Sequence, residues 1–335
     1  MKGALYYKKL EEKKVHCLLC PTSCIISPGN FGNCGARKNI DGTLYSMVYA
    51  KPISVAIDPI EKKPLYHFLP GSKSFSIGTL GCNLHCLHCQ NYETSQAKAD
   101  QYPVLDVPPE EIVEKAIQNN CKSISYTYNE PTIFYEYVLE TAKLARKKGI
   151  KNVMVSNGYI NEEPLKELYP YIDAANIDIK SFDEKFYSKI CSAALKPILE
   201  SIINIKKIGT WLEITNLVIP GHNDNFKEIG KMCRWLIKNL GEETPLHFSA
   251  FHPTYKLLDA ERTPPETLTK ARILAKKLGL KHVYIGNALA KEGNNTYCQE
   301  CGKLLIEREW FDVLSNKIKQ NRCPDCRSKI AGVFE

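Results

Sequence analysis

Gly81-Cys82-Asn83-Leu84-His85-Cys86-Leu87-His88-Cys89-Gln90-Asn91 is the stretch from which the rest of this 335-residue chain is read. It follows directly on residues 74–80, an alternating run that reads as a strand, so three thiols sit within eight residues at a strand's end. Thiolate is a soft ligand, suited to zinc, copper(I) or iron–sulfur clusters. A structural zinc site closes with four ligands, whereas three leave a position open. A zinc site completed by His85 or His88 therefore stands against a three-cysteine cluster, and the other strand ends must decide.

The whole chain narrows the setting. Hydrophobic content of 44% and charged content of 24% are ordinary globular values, and the length suits one large domain with appendages. No run is long and apolar enough to span a bilayer, and the first nine residues lack the apolar core of a signal peptide, so a cytoplasmic protein is expected. Fourteen cysteines in that setting argue for metal or redox chemistry rather than disulfides. Cys121, Cys191 and Cys233 are isolated and read as small buried apolar residues. The net charge of +8 is uneven, with eleven Lys and Arg against five Asp and Glu in residues 1–73. Such a surplus suits an acidic protein, a nucleic acid or simple solvation.

That N-terminal part carries Cys17, Cys20, Cys24 and Cys34 in C-x2-C-x3-C-x9-C order. Four thiolates could close a tetrahedral zinc site, the preferred reading, or hold a second iron–sulfur cluster. The bacterial ferredoxin spacing is not matched. Residues 58–71 read as an extended proline-bearing connection, with Lys62 and Lys63 on a solvated face. Residues 1–73 are thus expected as an N-terminal four-cysteine module with its connection, 74–295 as a core and 296–335 as a C-terminal module.

Within the core, strand and helix patterns alternate. Strands are expected at 74–80, 123–128, 152–157, 174–179, 211–219, 245–251 and 282–287. Helical periodicity runs over 132–148, and Thr263-Pro264-Pro265-Glu266 opens a further helix. Three helices end in cations and glycine, as in Arg146-Lys147-Lys148-Gly149, which suits a helix C-terminus and a left-handed exit. Repeated β-then-α units build a parallel sheet, open or curled, with its active site at the strands' carboxyl ends.

Those ends carry the chemistry. The first holds Cys82, Cys86 and Cys89, the second Tyr128-Asn129-Glu130-Pro131, the third Ser156-Asn157-Gly158 and the fourth Asp178-Ile179-Lys180. The fifth ends Val218-Ile219-Pro220-Gly221, and the last two bear Ser249, His252 and Tyr284. The C-x3-C-x2-C spacing resembles the radical S-adenosylmethionine (SAM) superfamily, whose three cysteines hold a 4Fe–4S cluster with one iron free for SAM. The later strand ends resemble its glycyl-radical activating enzymes. With its flanks the chain resembles the radical SAM member of the AmmeMemoRadiSam group, related to pyruvate formate-lyase activating enzymes. The resemblance implies an α/β fold with a partial (β/α)6-type TIM barrel. It implies that Glu130 holds the SAM amino group, that Asn129, Ser156, Asn157, Asp178 and Lys180 line the cofactor, and that His88 and Ile219 lie near its adenine. Tyr128 and Asn129 replace the glycines of the usual Gly-Gly-Glu element, and His88 replaces the usual aromatic hydrocarbon residue. Ser249, His252 and Tyr284 are candidates for substrate contact or hydrogen-atom transfer.

Cys298, Cys301, Cys323 and Cys326 form two C-x2-C knuckles with 21 residues between them, and read as a zinc ribbon. The expected activity is an oxidoreductase's, in which reductive cleavage of SAM generates a 5′-deoxyadenosyl radical that abstracts hydrogen from a protein or peptide. A ferredoxin or flavodoxin would supply electrons, and Memo-like and AMMECR-like proteins are partners implied by the resemblance. Modification of RNA is the alternative substrate reading. A non-catalytic iron–sulfur and zinc scaffold or electron carrier is the alternative of another class.

Overall fold

The computed structural model describes residues 1–102, 104–288 and 293–335. Its centre is one eight-stranded sheet: β1 (Ser54–Pro59), β2 (Lys73–Gly78), β3 (Ser123–Tyr126), β4 (Lys151–Ser156), β5 (Ala174–Asp178), β6 (Trp211–Val218), β7 (Leu246–Ala250) and β8 (Val283–Gly286). The strands lie side by side in chain order, and β2 to β8 are all parallel. One main helix crosses each interval between successive parallel strands: α1 (Pro109–Gln118), α2 (Tyr135–Lys147), α3 (Glu162–Leu168), α4 (Leu195–Ile208), α5 (Phe226–Leu240) and α6 (Pro265–Lys277). The central strands are buried almost throughout, as two-sided cover requires of a parallel sheet.

All seven expected parallel strands are present, one or two residues shorter at their carboxyl ends. There the chain turns away to place side chains instead of continuing the ladder. The expected 132–148 helix is split, because Pro131 starts a short 3-10 turn, Pro131–Phe134, before α2 begins. The eighth strand comes from the segment assigned to the N-terminal module. Ser54 to Pro59 pair antiparallel with β2 from Gly78 to Lys73, so the expected boundary at residue 73 cuts through this sheet.

Residues 60–72 do not form a solvated connection. Ile60, Leu65 and Phe68 are buried against Val153 of β4 and Ala174 of β5. The backbone N–H groups of Tyr66 and His67 donate to the Glu213 carboxylate of β6 at 3.0 and 2.8 Å, and Asn176 donates to the Pro64 carbonyl at 2.8 Å. The segment plugs the sheet's concave side. Lys63, expected in water, is 2% exposed and donates to Asp58 at 2.6 Å. A backbone buried this deeply needs internal partners, and Glu213 supplies them.

Two small three-stranded antiparallel sheets make up the N-terminal module. The C-terminal module is a third, containing the hairpin Leu304–Glu309 and Asp312–Asn316. Arg308 of that hairpin is buried, donates to the Tyr66 carbonyl at 2.7 Å and lies 3.4 Å from Glu61. Val333 bridges Phe68 in parallel, donating to the His67 carbonyl and accepting from Leu69 N–H. No helix among the described residues is long and apolar enough to cross a membrane.

Glu213 also accepts from Trp211 Nε1 at 3.0 Å and His247 Nε2 at 2.7 Å. Burial raises its pKa, but the hydrogen bond and charge of His247 outweigh burial and hold the carboxyl below its ordinary range. A depressed carboxyl pKa adds stability above the unfolded value, and that stability is lost as pH falls through the folded value. Glu213→Ala should cost about 3–5 kcal/mol by leaving these donors unpaired. Glu213→Gln should cost less and remove part of the loss of stability on acidification. Denaturant unfolding at several pH values measures both.

Candidate active site

At the carboxyl ends of the strands lies a cavity of about 350 Å³. Residues following β2 and β8, at opposite ends of the parallel array, both line it, so the sheet is strongly curved. Its wall includes Cys82, Cys86, His88 and Cys89 after β2, Asn129 and Glu130 after β3, and Ser156 and Asn157 at the end of β4. Asp178, Lys180 and Ser249 line it too, and Lys62 and Lys63 reach it from the plug.

The cysteine loop is shaped by close backbone contacts. Gly81 has φ +93°, and a Cβ there would lie 2.3 Å from the Cys34 carbonyl oxygen, so only glycine fits. Cys82 N–H donates to that same carbonyl at 3.2 Å. Further along, His85 and Leu87 N–H donate to the carbonyls of Cys191 and Ile190 at 3.0 and 2.9 Å. Burial pushes the Cys82 thiol's pKa well up, with Glu130 adding to the effect. Cys89 is likewise raised by burial, against the Ser95 hydroxyl. Cys86 is lowered, chiefly by a hydrogen bond from Cys191, whose own pKa rises. The sulfurs of Cys86 and Cys191 and a His88 ring nitrogen lie within 4.8 Å of one another. In sequence Cys191 reads as a small buried apolar residue. Nothing local to it signals otherwise, because only the fold brings it to Cys86.

Glu130 is 1% exposed and accepts from Thr132 N–H at 2.9 Å, the Ser156 hydroxyl at 2.8 Å and Asn157 N–H at 2.8 Å. All three donors are neutral. Burial raises its pKa, opposed by these hydrogen bonds. Asn157 donates to Asn83 Oδ1 at 2.9 Å, tying this strand end to the cysteine loop. At the end of β5, Lys180 Nζ pairs with Asp178 at 2.9 Å. Burial opposes the lysine's charge, but Asp178 and the thiols of Cys86 and Cys191 outweigh it and raise its pKa.

Tyr128 is a departure with a physical explanation. Its φ is +70°, a conformation costly for a bulky side chain. Its hydroxyl donates to Asp58 at 2.8 Å, and its ring lies 4.8 Å from Lys63 Nζ. Asn129 donates to the Thr79 carbonyl at 2.6 Å. These contacts hold in place what glycines would adopt freely.

Three expected residues fall outside the cavity wall. Tyr284 points into the plug, where its hydroxyl meets His67 Nε2 at 2.5 Å and Thr296 at 2.9 Å. Tyr284 is the second residue of β8 and pairs with His247, two residues before Ser249, so it lies beneath the cavity floor. His252 is half-buried in the loop beyond β7, and Ile219 is buried behind the wall, which Thr215 and Leu217 form instead. Period-two alternation back from Ile219 would have found those two residues.

The other cysteine groups differ in spacing. Cys298 and Cys326 sulfurs are 3.6 Å apart and those of Cys301 and Cys323 3.7 Å, all four within 4.8 Å of one another. Cys17, Cys20, Cys24 and Cys34 instead surround a small cavity beside the buried Arg37.

Comparison with known proteins accords with this geometry. A family model described as the radical SAM superfamily matches residues 76–236. An uncharacterized protein of Methanocaldococcus jannaschii is 51% identical over 332 residues, 98% of this chain and 99% of that one. The pyruvate formate-lyase 1-activating enzyme of Escherichia coli is 19% identical over 61% of this chain and 89% of its own. The 4-hydroxyphenylacetate decarboxylase activating enzyme of Clostridium scatologenes is 27% identical over 35% of this chain and 38% of its own. Streptococcus suis SuiB, solved with S-adenosylmethionine, shares the fold at a TM-score of 0.50 and 13% identity, over 68% of this chain and 53% of that one. The chain belongs to the radical SAM superfamily, an enzyme superfamily that uses a 4Fe–4S cluster and SAM.

The residues fit those groups. Three thiols share one cavity wall with a buried carboxylate that lacks a cationic partner among the described residues. Buried His88 Nδ1 and Thr215 Oγ1 also have no hydrogen-bond partner on that wall.

Tyr128→Phe should lower stability by about 1.5–3 kcal/mol, the usual worth of a hydrogen bond to a charged group. Denaturant unfolding checks this, and an unchanged midpoint would mean that the phenol does not hold the turn.

Proposed function

We propose that the protein is a radical SAM enzyme of the activating-enzyme kind, acting on a protein or peptide residue on a partial (β/α)6-type barrel. The observation that carries this reading is Glu130: a buried carboxylate with three neutral donors on the wall that also holds three thiols. A carboxylate has about four acceptor sites, so one remains for an ammonium, which would also supply the missing positive charge.

Bound there, a reduced 4Fe–4S cluster and SAM would supply one-electron cleavage of the sulfonium, the source of a 5′-deoxyadenosyl radical for hydrogen abstraction. Cys82, Cys86 and Cys89 would hold the cluster. Glu130 would take the SAM amino group, with Ser156 and Asn157 fixing the carboxylate's orientation. Lys180, held by Asp178, would present its ammonium to an anionic group of SAM or substrate. The plug and buried strand ends would exclude water. Similarity to activating enzymes, whose names denote action on another enzyme, supports a protein substrate and a flavodoxin- or ferredoxin-type reductant. The tail thiols suit a single zinc ion, because Zn–S bonds of about 2.3 Å in a tetrahedron place sulfurs about 3.8 Å apart. A cytoplasmic location and membership of the AmmeMemoRadiSam group, with Memo-like and AMMECR-like partners, complete the reading.

Anaerobic reconstitution with iron, sulfide and dithionite should give 5′-deoxyadenosine from SAM, and Cys86→Ala should abolish it. Glu130→Gln should weaken SAM binding by about tenfold or more, some 1.4 kcal/mol. A fully loaded protein that makes no 5′-deoxyadenosine would sink the proposal.

A further inference from the structure

We propose that Cys17, Cys20, Cys24 and Cys34 hold a second iron–sulfur cluster of the 4Fe–4S type, in direct contact with the loop of Cys82. It would be separate from the cluster of the radical SAM site.

Spacing separates a cluster from a single ion. Four sulfurs around one zinc stand about 3.8 Å apart. The tail cysteines meet that spacing at 3.6 and 3.7 Å. Among the described residues, the thiol groups closed to within 4.8 Å are the tail four and the set of Cys86, His88 and Cys191. The N-terminal four belong to neither, and instead line a common cavity. Cys82, Cys86 and Cys89 as a trio do not close to within 4.8 Å either, and they line the larger cavity. The N-terminal set, like that trio, is therefore not closed to the single-ion spacing that the tail cysteines show.

The surroundings suit an anionic cluster. Arg37 is 1% exposed, donates to Cys17 Sγ at 3.8 Å and is neutralised from its other side by Glu136. Hydrogen bonds and positive charge at ligand sulfurs are among the means by which a protein sets cluster potential.

The contact with the radical SAM loop is short. The carbonyl of Cys34 accepts the N–H of Cys82 at 3.2 Å, and the lack of a side chain at Gly81 permits that approach. A ligand residue of one cluster is thus hydrogen-bonded to a ligand residue of the other. Two paramagnetic clusters so joined would interact magnetically.

The test uses the full chain, reconstituted anaerobically with iron and sulfide and assayed for iron, sulfide and zinc. The wild type should carry about eight irons, and the Cys82→Ala/Cys86→Ala/Cys89→Ala variant about four, with one zinc in each case. Reduced with dithionite, that variant should show a 4Fe–4S paramagnetic resonance signal unmoved by SAM. The wild-type signal should be broadened beyond the sum of the two separate clusters. Cys20→Ala/Cys24→Ala should lose about four irons and keep a signal that SAM perturbs. If that variant does not fold, the triple variant decides by its metal content. A triple variant holding two zincs and no iron would overturn the proposal, as would one holding neither metal at the N-terminal site. SAM failing to perturb the wild-type spectrum would count against the radical SAM reading alone.

Discussion

The buried carboxylate of Glu213 is the fixed point of this molecule. A curved parallel sheet has a concave side that must be filled, and here the filling is a length of backbone rather than side chains alone. Backbone in that position must find partners for its N–H groups. Glu213 accepts two of them directly, and Trp211 and His247 hold it from either side. Everything nearer the cavity depends on where the plug lies: Lys63 reaches Asp58, Asp58 takes the Tyr128 phenol, and Tyr128 leads into Glu130.

From Asp58 a continuous chain of polar contacts runs to the cysteines. Asp58 receives Lys62, Lys63 and Tyr128, and the lysines and phenol outweigh burial to keep its pKa well below the usual carboxylate range. Asn91 donates to the Tyr128 carbonyl, and Asn129 to that of Thr79, so the turn after β3 is sewn to the loop after β2. Ser156 and Asn157 then meet Glu130 from β4, and Asn157 returns to Asn83 beside Cys82. Successive strand ends are cross-linked by side chains, which keeps a cofactor wall rigid although each piece is a loop.

Much of this was legible in sequence because it is local. Strand periodicity, the cation-and-glycine helix exits and the cysteine spacings each act over a few residues, and the parallel strands fell where those signals put them. The expected residues that do line the cavity lie at or just beyond strand ends. What was missed is non-local. Val55 and Ile57 look like a short strand of any sheet, and only pairing with β2 makes them an edge of the main one. Lys63 reads as solvated because its partner Asp58 lies in an extended segment that gives no sign of turning inward. Tyr284 lies on the last strand and reads as a candidate for the site, yet its hydroxyl is taken by His67, more than two hundred residues earlier.

The pairing of Phe68 and Leu69 with Val333 joins a segment made early to one made more than 260 residues later. A ribosome delivers the plug, then all six main helices and the remaining strands of the sheet, before it releases the residues that lock the plug down. Until then the backbone of residues 66–69 lacks its C-terminal hydrogen bonds and Arg308. Synthesis at about 5–20 residues per second leaves that interval at more than ten seconds. Completion of the concave side therefore waits on residues made long after the plug and after every strand of the sheet it fills.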